Sequence, residues 1–211
     1  MKWEDPKVEE DLLNLIEICI NKLQKGIEKE KVKIGRLESK GKDTTKSMDK
    51  IEDFNNRIDY LNRNKDNVKR LGTDQDNIYA IGSTAGDGVN TVRKDEDGKV
   101  VIQADGTARI LHEITHIVQS LDTGGLLFSN NSILCNAGIT FPREERDGMI
   151  AEYEVEAYRN QYAYNPYSLL KLPQSLNHIN QEYVSSIIVN GKPAYSRISD
   201  HTRRLKKGSD K

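Results

Sequence analysis

The feature that most restricts this chain is a heptad-like seam through its first third. Leu13, Ile16, Ile20, Leu23 and Ile27 step by three and four, and Ile34 and Leu37 keep the register past Glu30, which interrupts it. Such spacing lays a narrow apolar stripe along a helix that needs a partner helix to bury it. The partner follows directly. Gly41 and the polar run Lys42-Asp43-Thr44-Thr45 break the pattern, and a second seam runs through Ile51, Phe54, Ile58 and Leu61, with Lys65 in the next slot and Val68 after it. Two amphipathic helices joined by a short polar break read as an antiparallel hairpin. Lys, Glu and Arg on the other faces form a solvated surface with i,i+4 pairs. Leu71-Gly72 is the expected end, because glycine suits the position just past a helix.

Composition enters for what it excludes. The 32 Lys and Arg face 33 Asp and Glu, a net charge of -1, which leaves no basic excess for coating nucleic acid. No stretch approaches the roughly 18 apolar residues of a membrane span. The N-terminus, MKWEDPKVEEDLL, is acidic and has no apolar signal core, so the expectation is a cytoplasmic protein or one exported by a dedicated secretion system. Two cysteines, Cys19 and Cys135, cannot form a disulfide framework, and Cys135 has no nearby histidine to activate it as a nucleophile.

The second half has a different grain. Residues 77–82 read as a short strand and 83–88 as a turn-rich loop. β-prone runs at 91–94 and 99–103 flank Asp95-Glu96-Asp97-Gly98, a strong hairpin signal. Asp105-Gly106-Thr107 offers a turn and an N-cap for a helix over about 108–121, closed by Gly124-Gly125. Residues 126–146 read as a loop-like insertion. A second helix spans about 147–163 and stops before Asn165-Pro166. One or two further helices are expected in 167–202, and the basic end, 203–211, is expected to be disordered. The fold class is therefore α+β: a small antiparallel sheet of about three strands, two helices packed beneath it, and a helical hairpin over 1–72.

The chemistry concentrates in Leu111-His112-Glu113-Ile114-Thr115-His116-Ile117-Val118-Gln119. In this H-E-x-x-H pattern, His112 and His116 lie one turn apart on one helix face, where two imidazoles can hold one Zn²⁺ while Glu113 reaches a metal-bound water as general base. A catalytic zinc needs a third protein ligand. His178 and His201 are candidates, but the helix over 147–163 supplies better ones. There Ile150, Ala151, Glu154, Ala157, Tyr158 and Gln161 share a face that is apolar except for Glu154 and Gln161. A carboxylate in the middle of a buried stripe is rarely left unpaired, which selects Glu154. Glu152 and Glu156 are the alternatives, and Glu156 can pair with Arg159 at i,i+3. An oxyanion-stabilising donor is also expected, with Tyr183, Tyr195, His178 and His201 as candidates.

Glu113 with its two histidines, followed by Glu154-Val155-Glu156-Ala157-Tyr158, resembles the gluzincin class of zinc metallopeptidases, and in particular compact bacterial domains found in secreted effectors and polymorphic toxins. The resemblance covers roughly residues 75–165 and would make 73–202 a metallopeptidase-like domain. It implies zinc on His112, His116 and Glu154, a protein or peptide substrate, and an immunity protein or secretion-system component as partner. In that family an acid four residues after the glutamate ligand supports a zinc-binding histidine; here Tyr158 stands in its place, with a hydroxyl available to accept from an imidazole N–H. Val100–Gln103 would be an edge strand for an extended peptide. The competing expectation is a non-catalytic interaction protein that uses the helical hairpin on a metallopeptidase-like scaffold.

Overall fold

Asp5-Pro6 starts the first helix. The Asp5 carboxylate accepts from the Lys7 N–H at 2.9 Å, and proline sits where an N–H would go unpaired. In the computed structural model, which describes residues 2–84, 90–129, 131–134, 143–189, 191–196 and 198, helix α1 spans Pro6–Glu38 and α2 spans Thr45–Thr73. They pack antiparallel: Gly26 lies against the Phe54 ring, Glu17 pairs with Lys65 at 2.7 Å and Glu30 with Lys50 at 2.7 Å. The buried stripe of α1 is Leu12, Ile16, Ile20, Leu23, Ile27 and Glu30, so Leu12 takes the innermost position expected for Leu13. Gly26 is there for contact: a Cβ would come within 2.7 Å of Phe54 Cε2.

The end of α2 differs from expectation. Gly72 is not past the helix but buried in its last turn, where an added Cβ would meet the Glu9 carboxylate at 2.2 Å. The glycine sits inside the helix beneath the Glu9 side chain of α1 rather than in a left-handed cap.

The sheet holds five strands in the order β1-β3-β2-β5-β4: β1 Tyr79–Gly82, β2 Thr91–Lys94, β3 Val100–Gln103, β4 Leu127–Ser129 and β5 Ser132–Leu134. It is mostly antiparallel, with β1 parallel to β3. The Asp95–Gly98 turn forms as its sequence indicates: Gly98 has φ 82°, and the Asp95 carboxylate accepts from the Lys99 N–H at 2.7 Å. Two expectations fail here. Residues 127–129 and 132–134, read as loop, form the β4–β5 hairpin, with Asn131 at φ 61° before β5 and no long apolar run in either short strand. And Val100–Gln103 is not an edge strand, because β1 and β2 flank it on both sides. The sheet edges are β1 and β4, and Trp3 bridges β1 from outside at Tyr79.

Helix α3 (Thr107–Asp122) follows β3, and helix α4 (Arg143–Tyr164) packs on it. Gly124 and Gly125, with φ 114° and 100°, end α3 as expected, the Gly125 N–H donating to Ser120 O at 3.0 Å. After α4 come short 3₁₀ turns at Pro166–Ser168 and Leu176–His178, a five-residue helix α5 (Gln181–Ser185), and a hairpin of β6 (Ile188–Val189) with β7 (Lys192–Pro193). The expected disordered end, 203–211, and Cys135 lie outside the described residues.

One buried cluster joins Ile16 and Ile20 of α1, Leu61, Val68 and Leu71 of α2, Ile102 of the sheet, and Leu111, Ile114 and Ile117 of α3. Polar ties add to it: Asn64 Nδ2 donates to Asn160 O at 3.2 Å and Arg57 Nε to Ala163 O at 3.2 Å. Helix α2 thus backs both site-bearing helices. Among the described residues no helix is long and apolar enough to cross a membrane.

Candidate metal centre

Helix α3 is buried almost all round, from Leu111 through Thr115 and again at Ile117 to Ser120. Its register against α4 is pinned inside the core: the Thr115 hydroxyl donates to Leu111 O at 2.8 Å and accepts from Asn160 Nδ2 at 3.0 Å. That register brings three expected residues together. Nε2 of His112 lies 3.2 Å from Nε2 of His116, and the two nitrogens stand 3.7 and 3.6 Å from the carboxylate oxygens of Glu154. A ligand atom from each of the three falls within 4.8 Å of the others.

The tautomer of His116 follows from its neighbours. Gln119 Nε2 donates to Tyr153 O at 3.1 Å and to Glu156 Oε2 at 2.9 Å. Both partners are acceptors, so the amide nitrogen is fixed on their side and Oε1 faces His116 Nδ1 at 2.9 Å. Nδ1 therefore carries the proton, and Nε2 turns a lone pair toward His112 and Glu154. An outer partner of this kind is what fixes the tautomer and orientation of an imidazole that is to ligate a metal. It corrects two expectations. Glu156 neither binds at the centre nor pairs with Arg159; it anchors Gln119, while Arg159 Nε donates to Ile179 O at 2.9 Å. Tyr158 does not accept from an imidazole either. Its ring packs edge-on against His112 at 4.7 Å, and its hydroxyl shares a hydrogen bond with Tyr195 at 2.9 Å. Glu152 is exposed and accepts from Gln181 Nε2 at 2.6 Å, away from the histidines.

The residues fit a zinc ion. Two ligands bonded tetrahedrally at zinc–nitrogen distances are about 3.3 Å apart, close to the separation of the two imidazole nitrogens. Glu154 Oε2 is buried without a hydrogen-bond partner, an arrangement that costs free energy unless a cation meets it. The electrostatics agree. Burial pushes the Glu113 carboxyl up to about 7, and the Glu154 charge adds to this against the pull of His116. Burial would lower His116, yet the charges of Glu154 and Glu113 and the bond from Gln119 leave it raised. His112 is held well below its ordinary value by burial and by His116. Buried carboxylates around two imidazoles favour positive charge at their centre, whether a proton or a metal supplies it.

His112 and Glu113 open onto a cleft of about 350 Å³ whose walls include Tyr158, Gln161 and Tyr195. Of the oxyanion candidates, Tyr195 is in the cleft. Burial, with the Glu154 charge, raises its phenol well above the ordinary value, so it stays an O–H donor at neutral pH. Tyr183 instead donates to Lys171 O at 2.5 Å, His178 bonds Ser175 Oγ at 2.8 Å on a different surface, and His201 lies outside the described residues. Two residues passed over in the sequence belong to the site. Gln119 stands three residues after His116 on the same helix face, a legible position once a polar partner is sought there. Arg109 stands one turn before His112 and Glu113. Compared with protein-family models, curated proteins and solved structures, the chain matches none.

Proposed function

We propose that this chain is a zinc-dependent hydrolase of peptide bonds. The observation that carries the reading is the convergence of His112, His116 and Glu154 beside a buried Glu113 whose carboxyl is lifted to about 7. The two histidines and Glu154 would hold the ion, which when bound lowers the pKa of a coordinated water and polarises a carbonyl. Glu113, buried next to His112 on the same helix and lining the cleft, is suited to take a proton from that water and return it to the leaving nitrogen. The Tyr195 hydroxyl, in the same cleft, is placed to donate to the oxygen that gains charge. Gln119 and Glu156 keep His116 in the tautomer that leaves Nε2 free.

The resemblance to gluzincin domains of bacterial effectors and toxins supports the peptide substrate and extends the proposal to a secreted effector countered by an immunity protein. The test begins with metal content. Protein purified without chelator should carry near-stoichiometric zinc, lost on Glu154→Ala and kept on Glu152→Ala. Glu113→Gln should keep its zinc and lose turnover by about a thousandfold or more. Protein that neither carries zinc nor takes it up would overturn the reading and favour a non-catalytic interaction protein.

A further inference from the structure

Arg109 is the third residue of α3, three and four residues before His112 and Glu113. That spacing puts it on their face of the helix, one turn toward the N-terminus. Its side chain lines the same cleft. Arg109 and Glu113 are the only charged residues lining it among the described ones, and they form no ion pair with each other. Elsewhere the arginines of the helical core are engaged: Arg57 with Ala163 O, Arg63 over the Tyr60 ring, Arg70 with Asp122 and Arg159 with Ile179 O. The Arg109 side chain has no hydrogen bond or ion pair among the described residues, although it is half-buried. A guanidinium offers five N–H donors in a planar fork that matches a carboxylate. Helical side chains lean toward the N-terminus, which carries this fork away from the imidazoles along the cleft. The amide of Asn90 lines the cleft as well. The segment after α4 contributes Leu170, Val189 and Ala194 to the lining, and no charge among the described residues.

We infer that Arg109 forms a carboxylate-binding subsite, so that the peptide hydrolysed carries a carboxylate within about three residues of the scissile bond. This rests on the hydrolase reading above and narrows its substrate class. The carboxylate has two sources, an Asp or Glu side chain or the free C-terminus of the peptide. Asn90 adds a neutral donor beside the fork, and the apolar wall takes the neighbouring side chain.

The test uses the full-length, zinc-loaded chain and a peptide library from a digested bacterial proteome, with cleavage sites read by mass spectrometry. Wild type should enrich cleavage near Asp and Glu, or near free C-termini. Synthetic copies of the best substrate then separate the sources, one with the acid changed to its amide and one with an amidated C-terminus. The copy lacking the recognised carboxylate should lose about tenfold or more in kcat/KM. Arg109→Gln should lose a similar factor on the intact substrate and little more on the neutral copy, with zinc content and melting temperature unchanged. Arg109→Glu should shift the preference toward Lys and Arg. Cleavage by wild type with no acidic preference, equalled by Arg109→Gln, overturns the subsite and leaves the hydrolase reading standing. If wild type binds zinc but cleaves nothing, the hydrolase reading fails, and binding decides the subsite. Zinc-loaded, immobilised Glu113→Gln protein should then retain acidic library peptides in preference to neutral ones. Loss of that retention in Glu113→Gln/Arg109→Gln supports the subsite without turnover, and retention of no acidic excess overturns it as well.

Discussion

Two helix pairs in this molecule each bury a carboxylate in their seam, and they treat it in opposite ways. In the α1–α2 hairpin, Glu30 falls among Ile20, Leu23 and Ile27, and both its oxygens are met by lysines of the same hairpin: Lys50 at 2.7 Å and Lys33 at 3.2 Å. In the α3–α4 pair, Glu154 faces two imidazole nitrogens at 3.6 and 3.7 Å, and its Oε2 has no hydrogen bond. Unmet buried polar atoms are costly, so chains that fold stably keep few of them. Glu30 is supplied with cations by its own hairpin, whereas Glu154 meets two imidazoles, and no lysine or arginine pairs with it among the described residues.

Breaking each pair separately should separate the two roles. The largest expected effect is on the hairpin's core. Ile16 and Leu61 are fully buried in the cluster that also holds α3, and Leu61→Ala should lower unfolding stability by about 2–5 kcal/mol in urea titrations. Because α3 shares this cluster, a single transition is expected. Zinc stoichiometry of the folded fraction should remain unchanged, since Leu61 belongs to α2 and supplies no polar atom to the group of His112, His116 and Glu154.

The complementary change is Glu154→Gln, which keeps the shape and removes the charge. Zinc at a hundredfold excess over its dissociation constant should stabilise wild type by about 2.7 kcal/mol, read as a rise in melting temperature. Glu154→Gln should lose most of that rise, and Glu30→Gln should keep it. Equal zinc responses in the three proteins would show that the orphaned oxygen is not a ligand.

A subtler break lies one bond further out. Gln119→Leu removes the acceptor that fixes the His116 tautomer and leaves Glu156 unanswered. Outer partners of this kind are worth about tenfold to a hundredfold in metal affinity. Competition with a zinc-binding dye should show a loss in that range, and Glu156→Gln should cost less, because the amide can still accept from Gln119.

The contrast between the pairs also marks how far the sequence could be read. Both heptad seams, the Asp95–Gly98 hairpin and the α3 boundary at Gly124-Gly125 were legible because each rests on local periodicity or local turn chemistry. That His112, His116 and Glu154 come together and Glu152 does not was legible for the same reason, since helical geometry assigns their faces. Most of the misses are non-local. Leu12 rather than Leu13 lies innermost, one turn before Ile16 on the stripe that faces α2. Gly72 lies inside α2 beneath Glu9, sixty-three residues earlier. The short strand β5 joins the sheet through β2, at Arg93 and Ser132, and β4 joins it through β5. Gln119 gains its role from Tyr153 and Glu156 on another helix, and Tyr158 loses its expected one to Tyr195, thirty-seven residues on. Periodicity tells which face of a helix is buried, but it is silent on what meets that face.

The smallest expected effect concerns the satisfied carboxylate. The hydrogen bonds from Lys50 and Lys33 hold the Glu30 carboxyl at about 2, below its ordinary 4.5. Its folded pKa is the lower one, so its contribution to stability is complete above about pH 4.5 and fades as pH falls toward about 2. Glu30→Gln should therefore melt below wild type at pH 7, and the gap should close between about pH 5 and pH 2. Salt should narrow the gap at pH 7, because both lysines are more than half exposed and such pairs contribute modestly at best. A gap that stayed constant with pH and salt would assign the stabilisation by Glu30 to the packing of its methylenes against the seam rather than to its charge, and the opposition between the two helix pairs would then rest on Glu154 alone.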